Sequence, residues 1–396
     1  MEVLKGSGTS GDVVLNNQVL AKKEGFQNVS KIWYNQTMSY EQGLEALEAG
    51  RAEREDIVCP ASEFVPGRKD DDNLVFVHKP TGREYKAAEH ALRQFATWAY
   101  IPHTYVNSAM KAVLKPNKEV RFERDTLDAI CFAAVLQNGH RHIEQDKKFL
   151  FRTYKDGTMR AMLSEDYSIV DNRWYIETLR KILPGGRLSH WKGDADSIYG
   201  NVLIEDSIRQ DSDGDYGAMI SIGNSEIGIR GIDQLPSVFR AICMNGCIWD
   251  QLAGVKFHKI HRGIELSELE IAILENVNAQ VPLLDDIVQK FLDTRELKLS
   301  ARVKQVFALI ADENSFTGKQ IESVASNFLN HEKADKNLFG IINAITRAGQ
   351  EFDTDTWLGF DKLAGKMAGM SKANWERFNK RASALTDEQV SKALAV

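Results

Sequence analysis

YGAMISIGNSEIGIRGIDQLPSVFRAICMNGCIW, residues Tyr216 to Trp249, is the stretch from which the rest of the chain is read. Met219, Ile220, Ser221 and Ile222 alternate apolar with polar and predict a strand. Gly223, Asn224, Ser225 and Glu226 are turn formers. Ile227, Ile229 and Ile232 resume the alternation, with Gly228 and Gly231 between them, where glycine marks a bulge or a close backbone approach. After Pro236 the spacing of Val238, Phe239, Ile242 and Cys243 is helical, and Pro236 suits a first helical turn. Asn245 and Gly246 then read as a left-handed helix stop that aims Cys247 to Trp249 back across the sheet.

Working outward, Phe149–Tyr154 and Thr158–Leu163 flank Lys155-Asp156-Gly157, a hairpin signal. Asp171-Asn172 caps a helix running to Leu183, which Pro184-Gly185-Gly186 stops. Arg187–His190 and Val202–Ile204 read as further strands. Upstream, Ala87–Tyr100 carries one apolar stripe, and Val106–Leu114 and Thr126–Leu136 are also helical. Leu74–His78 reads as a strand and Lys79–Gly82 as a turn, whereas Pro60–Asn73 is a loop or boundary. Ser39 and Gln42 make a capping box at the start of a helix over 39–52. Beyond Leu266 the apolar spacing stays helical. The fold class is therefore α+β: an antiparallel sheet with helices on one side, followed by an all-helical C-terminal region. The divisions are 1–60, an N-terminal extension loosely ordered over its Gly-, Ser- and Asn-rich first thirty residues; 61–265, the α+β core; and 266–396, the helical region.

The 396 residues are 43% hydrophobic and 27% charged, as in a soluble globular protein, with a formal net charge of -6. That balance argues against coating nucleic acid by bulk charge, though not against a local basic groove. No apolar run approaches the ~20 residues of a membrane span, and no signal pattern is read at the start. Four cysteines in this length are no disulfide scaffold. Cys59 and Cys131 read as small apolar residues in a reducing cytosol.

Candidate chemistry is sparse. Cys243, Cys247, His258 and His261 have zinc-ligand types, but not the usual finger spacing, and packed cysteines beside a polar histidine pair are the preferred reading. Asp211 to Asp215 fails the calcium-loop template, having Tyr216 and Ile222 where Gly and Glu are needed. Phosphate-loop, nucleophile-elbow and zinc-protease motifs are missing, so no catalytic residue and no cofactor is assigned. The remaining signal is basic residues interleaved with aromatics: Lys147, Lys148, Arg152, Tyr154 and Lys155, then Arg160. In a strand, Lys148, Leu150, Arg152 and Tyr154 share one face, and Phe149 and Phe151 the other. Such a face can hold phosphates and stack a base; the plainer reading is a solvated hairpin. A second basic cluster, Lys111, Lys115, Lys118, Arg121 and Arg124, reads as a solvated face. The last forty residues carry Lys372, Arg377, Lys380 and Arg381 with Trp375 and Phe378.

Asn224-Ser225-Glu226-x-Gly228, Phe239-Arg240-x-x-Cys243-x-Asn245-Gly246 and His258-x-x-His261-x-Gly263 resemble the phage/plasmid family DUF932. So do Arg160–Asn172 and Leu338-Phe339-Gly340-x-x-Asn343-Ala344-x-Thr346. The likeness spans roughly residues 85 to 350, and that family carries no assigned activity. A looser similarity joins Ser225-Glu226-x-Gly228, Arg240-Ala241-Ile242 and Asn245–Trp249 to the heart of Rad52-type single-strand annealing proteins. It implies a non-enzymatic protein of DNA recombination that binds and anneals single-stranded DNA. It further implies a ring-like homo-oligomer, Arg240 as a contact, and a cytoplasmic location, in the host cell if phage-encoded. The alternative is a phage or plasmid protein that binds another protein and never touches DNA.

Overall fold

The computed structural model describes residues 37–49, 52–68, 74–113, 127–193, 196–211, 214–240, 245–248 and 257–394. Residues 1–36 and the basic stretch 114–126 lie outside these. The first half runs α1 (Tyr40–Glu48), β1 (Arg54–Pro60), β2 (Phe64–Arg68), β3 (Leu74–His78), β4 (Arg83–Ala87), α2 (Glu89–Trp98), α3 (His103–Val113), α4 (Leu127–His140), β5 (Lys148–Tyr154) and β6 (Thr158–Ser164). Ser39 caps α1 through the capping box with Gln42. Gly157 (φ 82°) makes the β5–β6 turn, with the Thr158 amide donating to the Asp156 side chain at 2.9 Å.

The strands form two sheets rather than one. The first has the order β1-β5-β6-β4-β3-β2 and is antiparallel except where β4 runs parallel to β6. Its outermost strands, β1 and β2, are joined by only Ala61–Glu63, so the sheet curls until its edges meet at that corner. Phe64 of β2 stacks on Phe151 of β5 at 4.1 Å across the curl. Helices α2 to α4 fill the inner face, with Phe76, Phe95, Phe132, Leu136 and Phe149 in one core. The described part of the stretch read as a loop, 60–68, thus holds β2. Pro66 sits there because β2 is an edge strand, where a missing N–H leaves no ladder bond unmade.

The second half continues with α5 (Asn172–Ile182), β7 (Gly186–Gly193), β8 (Ser197–Ile204), β9 (Arg209–Asp211), β10 (Gly214–Ser225), β11 (Ile232–Arg240), β12 (Asn245–Ile248) and β13 (Phe257–Lys259). The second sheet has the order β12-β11-β10-β8-β7, with β13 on β11 and β9 on β10. Its central strand β10 is buried on both faces: Tyr216, Ala218, Ile220 and Ile222 on one, Met219 and Ser221 on the other.

The helix predicted after Pro236 is a strand as far as Arg240, and its remainder, 241–244, lies outside the described residues. Ile220 faces Pro236 and Tyr216 faces Arg240 across the β10–β11 pair. Both faces of β11 are buried, so Leu235, Val238 and Phe239 are apolar without alternation, and the run mimics helical spacing. Pro236 lies between the residues that pair with β13, Ile232–Gln234, and those that pair with β12, Ser237–Arg240. Asn245 and Gly246 open β12 opposite Arg240 and Phe239, and so end no helix. Ile227 and Ile229 stand in the bend between β10 and β11 rather than in a strand.

From Leu266 the chain is helical: α6 (Leu266–Gln280), α7 (Leu284–Asp293), α8 (Val303–Asn314), α9 (Gly318–Asn327), α10 (Leu338–Gly349), α11 (Thr354–Ala368), α12 (Lys372–Ser383) and α13 (Asp387–Leu394). These helices share one core with the second sheet. Tyr216 of β10 meets Phe291 of α7 and Phe339 of α10, both at 6.3 Å, and Tyr199 of β8 meets Trp357 of α11 at 5.4 Å. Helix α10 is buried on nearly every side, and Gly340 is required because a Cβ there would lie 2.3 Å from the Asp335 carbonyl. Among the described residues no helix is long and apolar enough to cross a membrane.

Candidate functional site

The Asn224–Gly228 motif ends β10 and forms a joint between the two sheets. The Ser225 hydroxyl donates to the Asp196 carbonyl at 3.2 Å and accepts from the Ile227 and Ile229 amides at 3.2 and 3.1 Å, which closes the bend. Gly228 takes φ 77°. The Ile227 carbonyl accepts from His90 Nε2 at 2.9 Å and Gln94 Nε2 at 2.8 Å, both on α2. Asn224 Nδ2 donates to the Val170 carbonyl and to Asn172 Oδ1, each at 2.9 Å.

Glu226 is the anion of this joint, with no exposed surface. Its Oε1 accepts the Asn172 amide at 2.8 Å, at the N-terminus of α5, where unpaired N–H groups favour negative charge. Its Oε2 lies 3.5 Å from Arg54 and 3.7 Å from Arg152. Arg152 also donates to the Glu226 carbonyl and makes two bonds to Asp56, at 3.0 and 3.2 Å. Arg54 bridges Asp56 and Asp171. Burial works against the Arg54 charge, but Asp171, with Asp56 and Glu226 behind it, outweighs that and raises its pKa.

This arrangement corrects the expected nucleic-acid face of the hairpin. The alternation is real: Phe149 and Phe151 enter the α2–α4 core. The opposite face, however, is not open to solvent. Leu150, Ala161 and Leu163 pack under Ile227, and Arg152 and Tyr154 have no exposed surface. A buried arginine held by Asp56 and Glu226 is unavailable to a phosphate, and a buried tyrosine cannot stack on a base. Arg160, half-buried, lies over the Tyr154 ring at 4.6 Å and pairs with Asp196 at 3.1 Å. Lys147 covers Trp98 at 4.2 Å, exposed Lys155 pairs with Glu53 at 2.7 Å, and Lys148 points to solvent.

Arg240 is corrected likewise. It stands on β11, reaches Glu332 at 3.1 and 3.2 Å, and lies over Phe339 at 5.0 Å. Burial raises the Glu332 pKa, and Arg240 opposes the rise. Arg152 and Arg240, each closed off by its own carboxylate, line no common groove with Lys148. The Cys/His candidates also part company. Cys247 is in the core, where burial holds its thiol well above the usual range. His258 pairs with Asp233 at 2.6 Å. His261 stacks on Tyr167 at 4.9 Å with its Nδ1 3.1 Å from the Ser168 carbonyl, and burial lowers its pKa. Cys243 lies outside the described residues. Of the acidic run, Asp211 pairs with Gly214, and Asp215 with Gln210, between β9 and β10, and residues 212–213 lie outside the described ones.

Two of the open clefts among the described residues bear on binding. One, of about 490 Å³, lies beside Gly228 between the sheets, lined by Trp98, Tyr167, Ile229, Arg230, Ile260, His261 and Arg262. Ile229 and Ile260 are 45% and 64% exposed there. The other, of about 730 Å³, lies between α11 and α12 and is lined by Lys366, Met370, Asn374, Arg377, Phe378, Lys380 and Arg381. Phe378 is its buried floor, and its ring stacks on that of Trp375 at 5.4 Å. The cations stand exposed around it, Arg381 reaching Glu313 and Arg377 reaching Asn374. From Lys366 to Arg381 the chain has five cations and one carboxylate, Glu376, although the whole chain is net -6. The basic run was visible in the sequence, and Lys366, in the last turn of α11, lines the same cleft as the α12 cations. No protein-family model, no curated protein and no solved structure matches this chain.

Proposed function

We propose that the protein binds single-stranded nucleic acid without catalysing a reaction, and anneals complementary strands as a homo-oligomer. The carrying observation is the α11–α12 cleft, where Lys366, Arg377, Lys380 and Arg381 surround an open channel in an otherwise acidic chain. Phosphates bind such a surface by releasing counterions, and affinity then falls as salt rises. The floor aromatic is buried, so this reading assigns affinity to the backbone of the strand rather than to base stacking.

Fluorescence anisotropy with a labelled oligo(dT) tests it. Three to four phosphate contacts predict a log–log salt slope of about −2 to −3 for a single strand. Lys366→Glu with Lys380→Glu should weaken binding more than tenfold, while Lys148→Glu with Lys155→Glu should change it less than threefold. Mixing two complementary labelled strands reads annealing by energy transfer, and light scattering reads the oligomer. A wild-type chain that ignores single strands at low salt refutes the proposal. The second reading, a surface for another protein, is favoured by the exposed Ile229 and Ile260 beside Gly228.

A further inference from the structure

The corner where the edges of the first sheet meet brings together three side chains that the sequence keeps apart. Cys59 is near the end of β1, Glu63 ends the three-residue turn into β2, and His78 ends β3. The Cys59 sulfur, a Glu63 carboxylate oxygen and a His78 ring nitrogen all lie within 4.8 Å of one another. Cys59 and His78 are buried, and Glu63 is partly open to solvent. We propose that Cys59, Glu63 and His78 hold a divalent metal ion of the zinc class, which clamps the seam of the curled sheet.

The donor set fits that ion. Sulfur, imidazole nitrogen and carboxylate oxygen are the zinc-ligand types, and bonds of ~2.0–2.3 Å put tetrahedral ligand atoms roughly 3.3–3.8 Å apart. The three atoms, within 4.8 Å of one another, therefore need to close by about 1.5 Å at most. One thiolate and one carboxylate balance a dication's charge. His78 also has a second-layer partner. Its Nδ1 lies 2.9 Å from the Thr81 hydroxyl, whose proton is directed to the His78 carbonyl at 3.4 Å. In the tautomer whose Nδ1–H donates to that hydroxyl, the Nε2 lone pair is left to bind a metal, the second-layer arrangement typical of ligating histidines. The frame is firm: Cys59 faces Phe149, Phe64 faces His78, and the Lys79 amide donates to the Glu63 carbonyl at 2.8 Å. Three protein ligands leave a fourth tetrahedral position for water.

Without metal, burial first and Glu63 second push the Cys59 thiol up to about 12, so it carries its proton at neutral pH. Binding forms one metal–sulfur bond and releases that proton to solvent. The site is independent of the nucleic-acid proposal, and neither result bears on the other.

The experiment uses the full chain, stripped with a chelator and titrated with Co²⁺ alone. One equivalent should produce a thiolate-to-cobalt charge-transfer band in the near ultraviolet, which Zn²⁺ then bleaches while raising the melting temperature. Cys59→Ser should abolish the band, and Glu63→Gln and His78→Gln should each weaken Co²⁺ binding at least tenfold. Cys131→Ser, which removes an exposed thiol, should leave the band intact. Circular dichroism establishes that each variant is folded. Should Cys59→Ser fail to fold, His78→Gln carries the test. A folded wild-type chain that takes up no Co²⁺, or a band unaltered by Cys59→Ser or by His78→Gln, overturns the assignment.

Discussion

Arg152→Ala separates a structural arginine from a nucleic-acid contact. The substitution removes two bonds to Asp56, at 3.0 and 3.2 Å, and the bond to the Glu226 carbonyl. It leaves the Glu226 carboxylate, which has no exposed surface, with Arg54 at 3.5 Å and the Asn172 amide at 2.8 Å. Removing one partner of a buried ion pair costs about 3–5 kcal/mol, because the other charge stays desolvated. Unfolding entropy of ~2.1 cal/mol/K per residue gives ~0.8 kcal/mol/K for a chain of this length, so the melting temperature should fall by about 4–6 °C. Lys155→Ala breaks a pair of similar length, 2.7 Å to Glu53, but its side chains are 56% and 69% exposed. Such a surface pair is worth about 0–1 kcal/mol, a shift near 1 °C. Calorimetry on both variants, with Glu226→Gln and the double mutant Arg152→Ala/Glu226→Gln, should show coupling between Arg152 and Glu226 above ~1 kcal/mol. Should Arg152→Ala melt with the wild type while single-strand affinity falls tenfold, Arg152 is a contact and the joint is misread.

Gly228→Ala should lower the melting temperature by about 1–3 °C, since φ 77° costs ~1–2 kcal/mol and the new Cβ lies 2.9 Å from Leu163 Cδ2. Gly82→Ala is the control, with φ 67° but nothing within 4 Å among the described residues, and an equal loss in both would remove the Leu163 contact from the argument. Asp361 is fully buried beside Tyr199, and burial holds its pKa well above 3.8. The folded chain keeps that proton while the unfolded chain loses it above 3.8, so this contribution to stability is full below 3.8 and declines as pH rises toward the folded value. Asp361→Asn should therefore gain stability relative to wild type between pH 4 and 7, and parallel melting curves across that range would contradict it. A fragment ending at Glu265 should aggregate or bind a hydrophobic dye, because it bares the face of β10 that meets Phe291 and Phe339; a cooperative melt of that fragment near the full-length temperature would show two separable cores.

Where one local rule acted alone, the sequence was enough. The Ser39 cap, the Asp156-Gly157 turn, the α2 stripe and the change to helices at Leu266 all follow from neighbours a few residues apart, whereas α5 starts where expected but its first amide is held by the distant Glu226, Asp171 making no side-chain cap bond. Strands buried on both faces defeat that reading. β11 carries polar residues on both faces, Asp233 and Ser237 on one and Gln234 and Arg240 on the other, so no period of two shows and its apolar residues matched a helix, and β2 carries a proline that only an edge strand tolerates. The candidate sites depended still more on distance along the chain. Whether a strand's outward face meets water is decided by what packs over it: the bend at Glu226 covers Arg152, and Glu332 covers Arg240. The same closure brings Cys59, Glu63 and His78 to one corner and sets Lys366 beside Arg377 and Lys380. Residue type and local spacing determined which elements form and where charge is concentrated. The tertiary structure alone decided which charges are neutralised in the core and which face solvent, because desolvation and pairing arise from segments that no local pattern links.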